Sequence, residues 1–421
     1  MQTVLARPRA VLLGRRQQLF GLTFLALAAA MLFLFGLPSE AGQTSTFVLT
    51  AFGSARRTPL PDLVLPTQLT VFLLTFVVAF LGGWQWAKGF RAVNAVLGLI
   101  IFLFIFAFLT WADGGRQFNL TGMLVSSLVR STPIALGALS GILCERAGVI
   151  NIAIEGMMLA GAFSSVVVAS ASGNLYWGAL AGVLTGAALA AIHAVLSIRF
   201  RMDQIVSGVV INILAAGLTS YLSARILAVH LDLNNSGAFQ PIAIPPLVDI
   251  PVLGPILFEN NIVVYAMLFL LVAVHIMLFY TRWGLRTRAV GEHPRAADTL
   301  GINVFRVRYI NVILGGMVAG LGGAYFTVGS VGRFDELMTA GRGFIGLAAM
   351  IFGKWTPFGA FGSSLIFGFA DSLQQKLAIL QAPIPSQLLA MAPYVATMIV
   401  LAGVVGRAIP PAADGQPYEK Q

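Results

Sequence analysis

Several things are scarce in this chain, and each scarcity excludes a class of protein. Of 421 residues one is cysteine, four are histidine and sixteen are acidic. A single Cys144 excludes an intrachain disulfide and reads as an apolar filler rather than a metal ligand. Charged residues make up 10% of the chain, against roughly 25% in a soluble domain. No polar stretch is long enough to hold a soluble domain beside the apolar runs. A phosphate-cradling Gly-x-x-x-x-Gly-Lys-Ser/Thr run is also missing; Gly353-Lys354-Trp355 lacks both the spacing and the hydroxyl. ATP, if used, must be handled by a partner. What is present is apolar: 58% hydrophobic residues, a mean hydropathy of +0.87 and 45 glycines. The fold class expected is therefore an all-α polytopic membrane protein whose helices pack through small residues.

Apolar runs predict spans at 19–37, 63–82, 93–112, 120–143, 149–171, 175–198, 204–229, 261–280, 308–330, 343–353, 357–375 and 386–406, about twelve transmembrane segments. The 343–353 run is too short to cross ~30 Å as a straight helix, which leaves it re-entrant or beginning near Arg342. Leu19–Leu37 exceeds the apolar core of a signal peptide, so an uncleaved first span is expected over a cleaved leader. With the N-terminus inside, 18 Lys and Arg fall on the cytoplasmic side and 6 outside, with Arg130 and Arg225 inside spans. That bias fits the positive-inside rule. It also accounts for the net charge of +10 without nucleic acid. Both termini and 281–308 are then cytoplasmic, and 230–260, which has no Lys or Arg, is outside.

The stretch from Cys144 to Phe163 stands out. It places Glu145, Arg146, Asn151 and Glu155 among spans, with glycines at 148, 156 and 161. Ionisable groups at membrane depth face a bundle interior or a wet cavity. Two readings stay open from the residues: an interrupted segment lining a path, or a short cytoplasmic turn followed by an ordinary span with one paired Glu. Arg130 and Arg225 each need an acceptor. His193 and His275 read as satisfied packing histidines, and Asp371 as a capping or interfacial group. In 281–308, Pro294 suits a first helical turn, Arg295–Leu300 is helix-compatible and Gly301 is a plausible stop.

Four blocks now carry a resemblance. Glu145-Arg-Ala-Gly-Val-Ile-Asn-Ile-Ala-Ile-Glu-Gly-Met-Met-Leu-Ala-Gly-Ala-Phe163, Asp203-Gln-Ile-Val-Ser-Gly-Val-Val-Ile-Asn212, Arg288-Ala-Val-Gly-Glu-His-Pro-Arg-Ala-Ala-Asp-Thr-Leu-Gly-Ile-Asn-Val304 and Gly341-Arg-Gly-Phe-Ile-Gly-Leu-Ala-Ala-Met-Ile-Phe-Gly-Lys-Trp-Thr-Pro-Phe-Gly-Ala360 follow one another in the chain. Together they resemble ABC-transporter permeases of the nucleoside and simple-sugar group, relatives of the ribose and branched-chain amino acid permeases. In the third block Arg-Ala-Ala-x-x-x-Gly is similar to the Glu-Ala-Ala-x-x-x-Gly motif of import permeases, with Arg295 replacing the Glu.

The resemblance implies a ten-span permease core at 93–410, with inverted four-span units at 120–229 and 308–406. An extra hairpin at 1–92 precedes the core, 281–308 is its coupling loop and 411–421 is a short tail. The implied function is the permease subunit of an ATP-driven importer, not itself an enzyme, in a bacterial inner membrane. Nucleosides are the first expectation; simple sugars and branched-chain amino acids follow. The implied partners are an ATP-binding cassette protein with two fused ATPase domains, a second homologous permease and an outer substrate-binding protein or lipoprotein, all at the lipid bilayer. No cofactor is expected in this chain, ATP and Mg belonging to the ATPase, and no metal site. Expected path residues are Asn151, Glu155, Gln204, Asn212 and Phe344. Expected coupling residues are Glu292, Pro294, Arg295, Ala296, Ala297, Asp298 and Gly301. The competing class, an ion-coupled secondary transporter, would need intramembrane carboxylates, for which only Glu155 and Asp371 are candidates.

Overall fold

The computed structural model describes residues 9–50, 60–379, 391 and 408–420, and the span expected at 386–406 lies outside them. Among the described residues nine helices are long and apolar enough to cross a membrane. The chain is an all-α polytopic membrane protein, and it divides into two compact units.

The first unit comprises Met1–Gly122 with Lys376–Pro385. It is larger than the hairpin expected at 1–92, because a third helix joins it. Helices α1 (Arg9–Met31), α2 (Thr67–Ala87) and α3 (Val93–Ala112) share a core of Phe24, Met31, Val71, Val78, Leu97 and Ile100. Three short strands complete it: β1 (Thr44–Val48) pairs antiparallel with β2 (Leu63–Pro66) and parallel with β3 (Gln117–Asn119). Ser45 ties the sheet to the helices, its hydroxyl lying 2.7 Å from Thr67 Oγ1 and 2.7 Å from the Thr110 carbonyl. The span expected from residue 63 starts at Thr67, since 63–66 is taken up by β2.

The second unit comprises Met123–Gln375 with Ser386–Gln421. Its long helices are α4 (Leu120–Glu145), α5 (Ile154–Ser172), α6 (Leu175–Ala194), α7 (Gln204–Leu222), α9 (Ile262–Tyr280), α12 (Val304–Phe326) and α14 (Pro357–Ile379). Short helices α8 (Leu253–Phe258), α10 (Arg282–Glu292), α11 (Pro294–Thr299) and α13 (Arg342–Phe352) lie between them, with a two-residue ladder of β4 (Ile242–Ala243) and β5 (Glu259–Asn260). Helix α6 carries glycines at 178, 182 and 186, and α12 answers with 316 and 320. A β-carbon at Gly186 would lie 2.2 Å from the Gly316 carbonyl oxygen, and one at Gly320 2.2 Å from that of Gly182. Backbone-to-backbone approach of this kind is how helices associate without a hydrophobic drive between them.

Two departures from the sequence reading matter. The span expected at 149–171 begins only at Ile154, so Arg146–Ala153 is non-helical. The loop 281–308 is mostly helical: α10 precedes the expected short helix. That helix, α11, starts at Pro294, and Gly301 follows it in the left-handed region at φ 80°.

Candidate functional site

The interruption at Arg146–Ala153 confronts a strict requirement: backbone groups taken out of a helix at membrane depth must find partners within the protein. Side chains of α6 and α7 provide them. The Ile150 N–H donates to Gln204 Oε1 at 2.7 Å, and the Ile150 carbonyl accepts from His193 Nε2 at 2.9 Å. Because a carbonyl only accepts, His193 carries its proton on Nε2. Its Nδ1, 3.0 Å from Ser207 Oγ, then accepts from that hydroxyl. Asn212 Nδ2 donates to the Ile152 carbonyl at 2.9 Å, while its Oδ1 accepts from the Gly156 N–H at 2.7 Å. The last bond caps α5 from a neighbouring helix, satisfying one of its free first-turn donors. Asn151, 0% exposed, folds back so that its Oδ1 accepts from the Ala153 N–H at 3.1 Å.

Asn151 was expected to face a cavity; the structure corrects this, since full burial against Cys144 and Met157 leaves no free surface. Gln204 and Asn212, also expected on the path, are engaged in bracing the interruption.

The same stretch grips α13 at both ends. At 11 residues this helix extends about 16 Å, half a membrane, so each end needs its own partners. Glu155 meets the start: Oε1 accepts from Thr339 Oγ1 at 2.6 Å and from the Gly341 N–H at 2.8 Å, and Oε2 from the Gly343 N–H at 2.6 Å. A carboxylate at a helix N-terminus satisfies free donors and complements the dipole. The approach demands glycine, since a β-carbon at Gly343 would lie 2.7 Å from the Glu155 backbone. At the far end, Trp355 Nε1 donates to Glu145 Oε2 at 2.6 Å, and Arg146 Nε donates to the Trp355 carbonyl at 3.0 Å. Two sequence blocks, 145–163 and 341–360, thus become one assembly.

A cavity of about 420 Å³ opens beside the start of α13. Its walls include Val129, Arg130 and Pro133 of α4, Tyr325 and Phe326 of α12, Ser330 on the π-helical turn Thr327–Val331, Asp335 and Met338 of the following loop, and Arg342. Pro133 lacks an N–H, which frees the Val129 carbonyl four residues earlier, and the Tyr325 hydroxyl donates to it at 2.7 Å. Arg342 pairs with Asp371 at 2.8 Å, and its guanidinium lies 5.9 Å from the Phe326 ring centre. Arg130 donates to Gln375. Asp371, expected to be a capping or interfacial group, is an ion-pair partner instead. The cavity offers aromatic faces, two guanidiniums and the Asp335 carboxylate, in a volume suited to a small polar solute.

None of the five expected path residues lines this cavity. Glu155 stands behind its wall, fastening the loop that carries Met338 to the start of α13; Phe344 is an exposed residue of that helix. Sequence reasoning singled out Arg130 but missed Tyr325, Phe326, Asp335, Met338 and Arg342. Pro133 was the available signal, since a proline inside a span promises a nearby donor.

Six of the seven expected coupling residues lie together at the end of α10 and on α11, and Gly301 follows α11. Glu292, Arg295 and Ala296 are exposed, and Pro294 and Asp298 are half-buried. Ala297 was expected to insert into a partner; it is 2% exposed, packed within its own chain against Val290, Val304, Val307 and Tyr418. The outward apolar residues here are Leu285 of α10 and, just after α11, Leu300, 81% exposed, which sequence reasoning passed over. Helix α10 rests directly on the interruption: a β-carbon at Gly291 would lie 2.2 Å from the Arg146 carbonyl oxygen.

A family model described as branched-chain amino acid transport system / permease component matches residues 123–405. The chain is 43% identical over 312 residues to the guanosine ABC transporter permease protein NupQ of Bacillus subtilis, covering 70% of this chain and 95% of that one. It is 42% identical over 309 residues to the nucleoside ABC transporter permease protein NupC of Lactococcus lactis, covering 71% and 96%. It is 34% identical over 304 residues to the putative glucose ABC transporter permease protein TsgC13 of Haloferax volcanii, covering 68% and 92%. No solved structure gives a significant match.

Proposed function

The chain belongs to the permease-component family of branched-chain amino acid transport systems, and from that premise we propose that it is the membrane-spanning subunit of an ATP-driven importer for nucleosides. The observation that carries the substrate class is the cavity beside α13. Phe326 and Tyr325 present aromatic faces suited to a base, and Arg130, Arg342, Asp335 and Ser330 present donors and acceptors suited to ribose hydroxyls and base edges. The two relatives above 40% identity carry guanosine and nucleoside in their names, which favours this reading over a sugar.

In this reading α13 is a lever. Its start borders the cavity and is held by Glu155; its end is held by Glu145 and Arg146. The Arg146 carbonyl in turn sits against Gly291 of α10. A displacement of α10–α11 then reaches α13 through packed backbone at Gly291 and the buried side chains of Glu145 and Arg146. The ATPase partner, with two fused domains binding ATP and Mg, docks on Leu300, Arg295 and Ala296 from the cytoplasm. An outer binding protein or lipoprotein delivers solute on the opposite side, a second homologous permease completes the pair, and both termini face the cytoplasm of a bacterial inner membrane. This chain itself binds no cofactor.

The test is reconstitution of the chain with its ATPase and binding protein in proteoliposomes. ATP-dependent uptake of guanosine, competed by other nucleosides and not by glucose or leucine, is expected. Preferential uptake of a sugar or of leucine would reassign the substrate. Uptake driven by an ion gradient without ATPase would overturn the importer reading.

A further inference from the structure

Residues 408–420 lie beyond the part of the chain that matches the family, and they have no helix or strand. Pro411, Ala413 and Tyr418 are nevertheless buried. Tyr418 is 6% exposed, its ring 5.4 Å from that of Phe305, within the cluster of Val290, Ala297 and Val304 beneath α11. The Ala413 N–H donates to the Gly291 carbonyl at 2.9 Å and the Ala412 N–H to Glu292 Oε2 at 3.1 Å, both at the end of α10. Arg308 Nη1 donates to the Gln416 carbonyl at 2.9 Å, fastening the segment to α12.

The other edge of the same segment touches the interruption. Gly148 is in the left-handed region at φ 80°, and a β-carbon there would lie 3.0 Å from the Ala413 carbonyl oxygen. A β-carbon at Gly415 would lie 2.7 Å from Ile150 Cδ1, and the Asp414 carboxyl meets that of Glu145 at the end of α4. One short segment therefore bears on α10 and α11 along one side and on residues 145–150 along the other. On the α10 and α12 side the segment bonds through its own backbone, at Ala412, Ala413 and Gln416, and on the interruption side it packs at Gly148 and Ile150 and joins Asp414 to Glu145.

We propose that residues 408–420 form a strut that carries displacement of α10–α11 into the interruption at 146–153, with Tyr418 and Ala413 as positioning residues for coupling. This rests on reading α10–α11 as the part of the chain moved by an ATPase. The strut supplements the direct packing of Gly291 on Arg146 and Gly148. Docking of the segment as one rigid body with α10 distinguishes a strut from a latch, which would have to let go during the cycle.

The experiment uses the complete transporter in proteoliposomes, measuring guanosine uptake and ATP hydrolysis in the same vesicles; ATP dependence of wild-type uptake is the separate control on the importer reading. Tyr418→Ala is expected to keep the ATPase bound and hydrolysing while uptake per ATP falls about tenfold. Tyr418→Phe, which keeps the ring on Phe305, is expected to restore most of the ratio. An unchanged ratio in Tyr418→Ala, or a parallel loss of hydrolysis and uptake, would overturn the proposal. A second variant does not depend on weakening the fold: Glu292→Cys with Ala412→Cys in a Cys144→Ser background, oxidised to a disulfide. Uptake by the reduced double-cysteine protein is the reference, and a strut tolerates the bond, so oxidation should leave that rate unchanged; uptake stopped by oxidation and restored by reduction would show a latch and overturn the strut.

Discussion

Two non-helical segments of the second unit, 146–153 and 332–341, are built in contrasting ways. In the first, backbone groups are answered by His193, Gln204 and Asn212 from neighbouring helices, and Asn151 closes on its own chain. In the second, Asn234 answers both backbone groups of Phe334 and Glu155 fastens the end at Gly341, but Arg333, Asp335 and Glu336 are exposed. The difference teaches which polar residues hold the protein together and which are free to meet a solute. Polar groups saturated by backbone have nothing left to offer a ligand. Arg130 and Arg342 at the cavity, paired side chain to side chain with Gln375 and Asp371, can exchange partners.

The sharpest way to break this comparison is to remove a brace. Asn212→Leu orphans the Ile152 carbonyl and the Gly156 N–H, at about 1–3 kcal/mol each. We expect a large fall in thermal stability and yield; a stable Asn212→Leu protein that fails only in substrate affinity would place Asn212 on the path instead. Glu155→Gln comes next. The change removes the charge from three donor contacts, each charged hydrogen bond contributing roughly 1.5–3 kcal/mol, and sets an amide NH2 against backbone N–H groups. Insertion should be normal and uptake at least about tenfold lower. Wild-type uptake would remove Glu155 from the mechanism.

How much of this was legible beforehand depends on distance along the chain. The interruption was visible in Glu145, Arg146, Asn151 and Gly148, yet its extent was not, because its bonding partners lie 40 to 60 residues away on α6 and α7. Local rules placed α11 well, from Pro294 to a left-handed Gly301. They misjudged Ala297, since its burial depends on Tyr418, over a hundred residues further on. The cavity was largely hidden for the same reason: Arg130, Tyr325 and Arg342 converge only through tertiary packing.

A smaller effect sharpens the cavity side of the comparison. Arg342→Gln loses the ion pair with half-buried Asp371, so the half-saturating nucleoside concentration in uptake should rise about tenfold with little change in stability. The reverse pattern, lost stability with unchanged affinity, would make the pair a structural one.

The smallest expected effect is one of pH. Burial pushes Asp414 up to about 6 from its ordinary 3.8, despite the hydrogen bond with Glu145 and the nearby Arg308; Glu145 and Cys144 of α4 and Arg308 of α12 are the groups that face it. A carboxyl raised on docking contributes most while protonated. That contribution is complete below about pH 4 and is lost as the pH rises through about 6. Hydrogen-exchange protection of the Ala413 amide should therefore decline between about pH 4 and 6 and level off above that, and Asp414→Asn should flatten the decline. Protection that rises over this range would mean that the ion-pair attraction to Arg308 dominates.

The central claim is that solute passes through the cavity beside α13 and not along the braces of the interruption. A single cysteine at Met338, in a Cys144→Ser background that still transports, gives the most direct reading. With guanosine at ten times its half-saturating concentration, modification of that cysteine by a small thiol reagent should slow by roughly tenfold, while a cysteine at Leu300 reacts as before. An unchanged rate at 338 in a transporter that takes up guanosine with ATP would contradict the account.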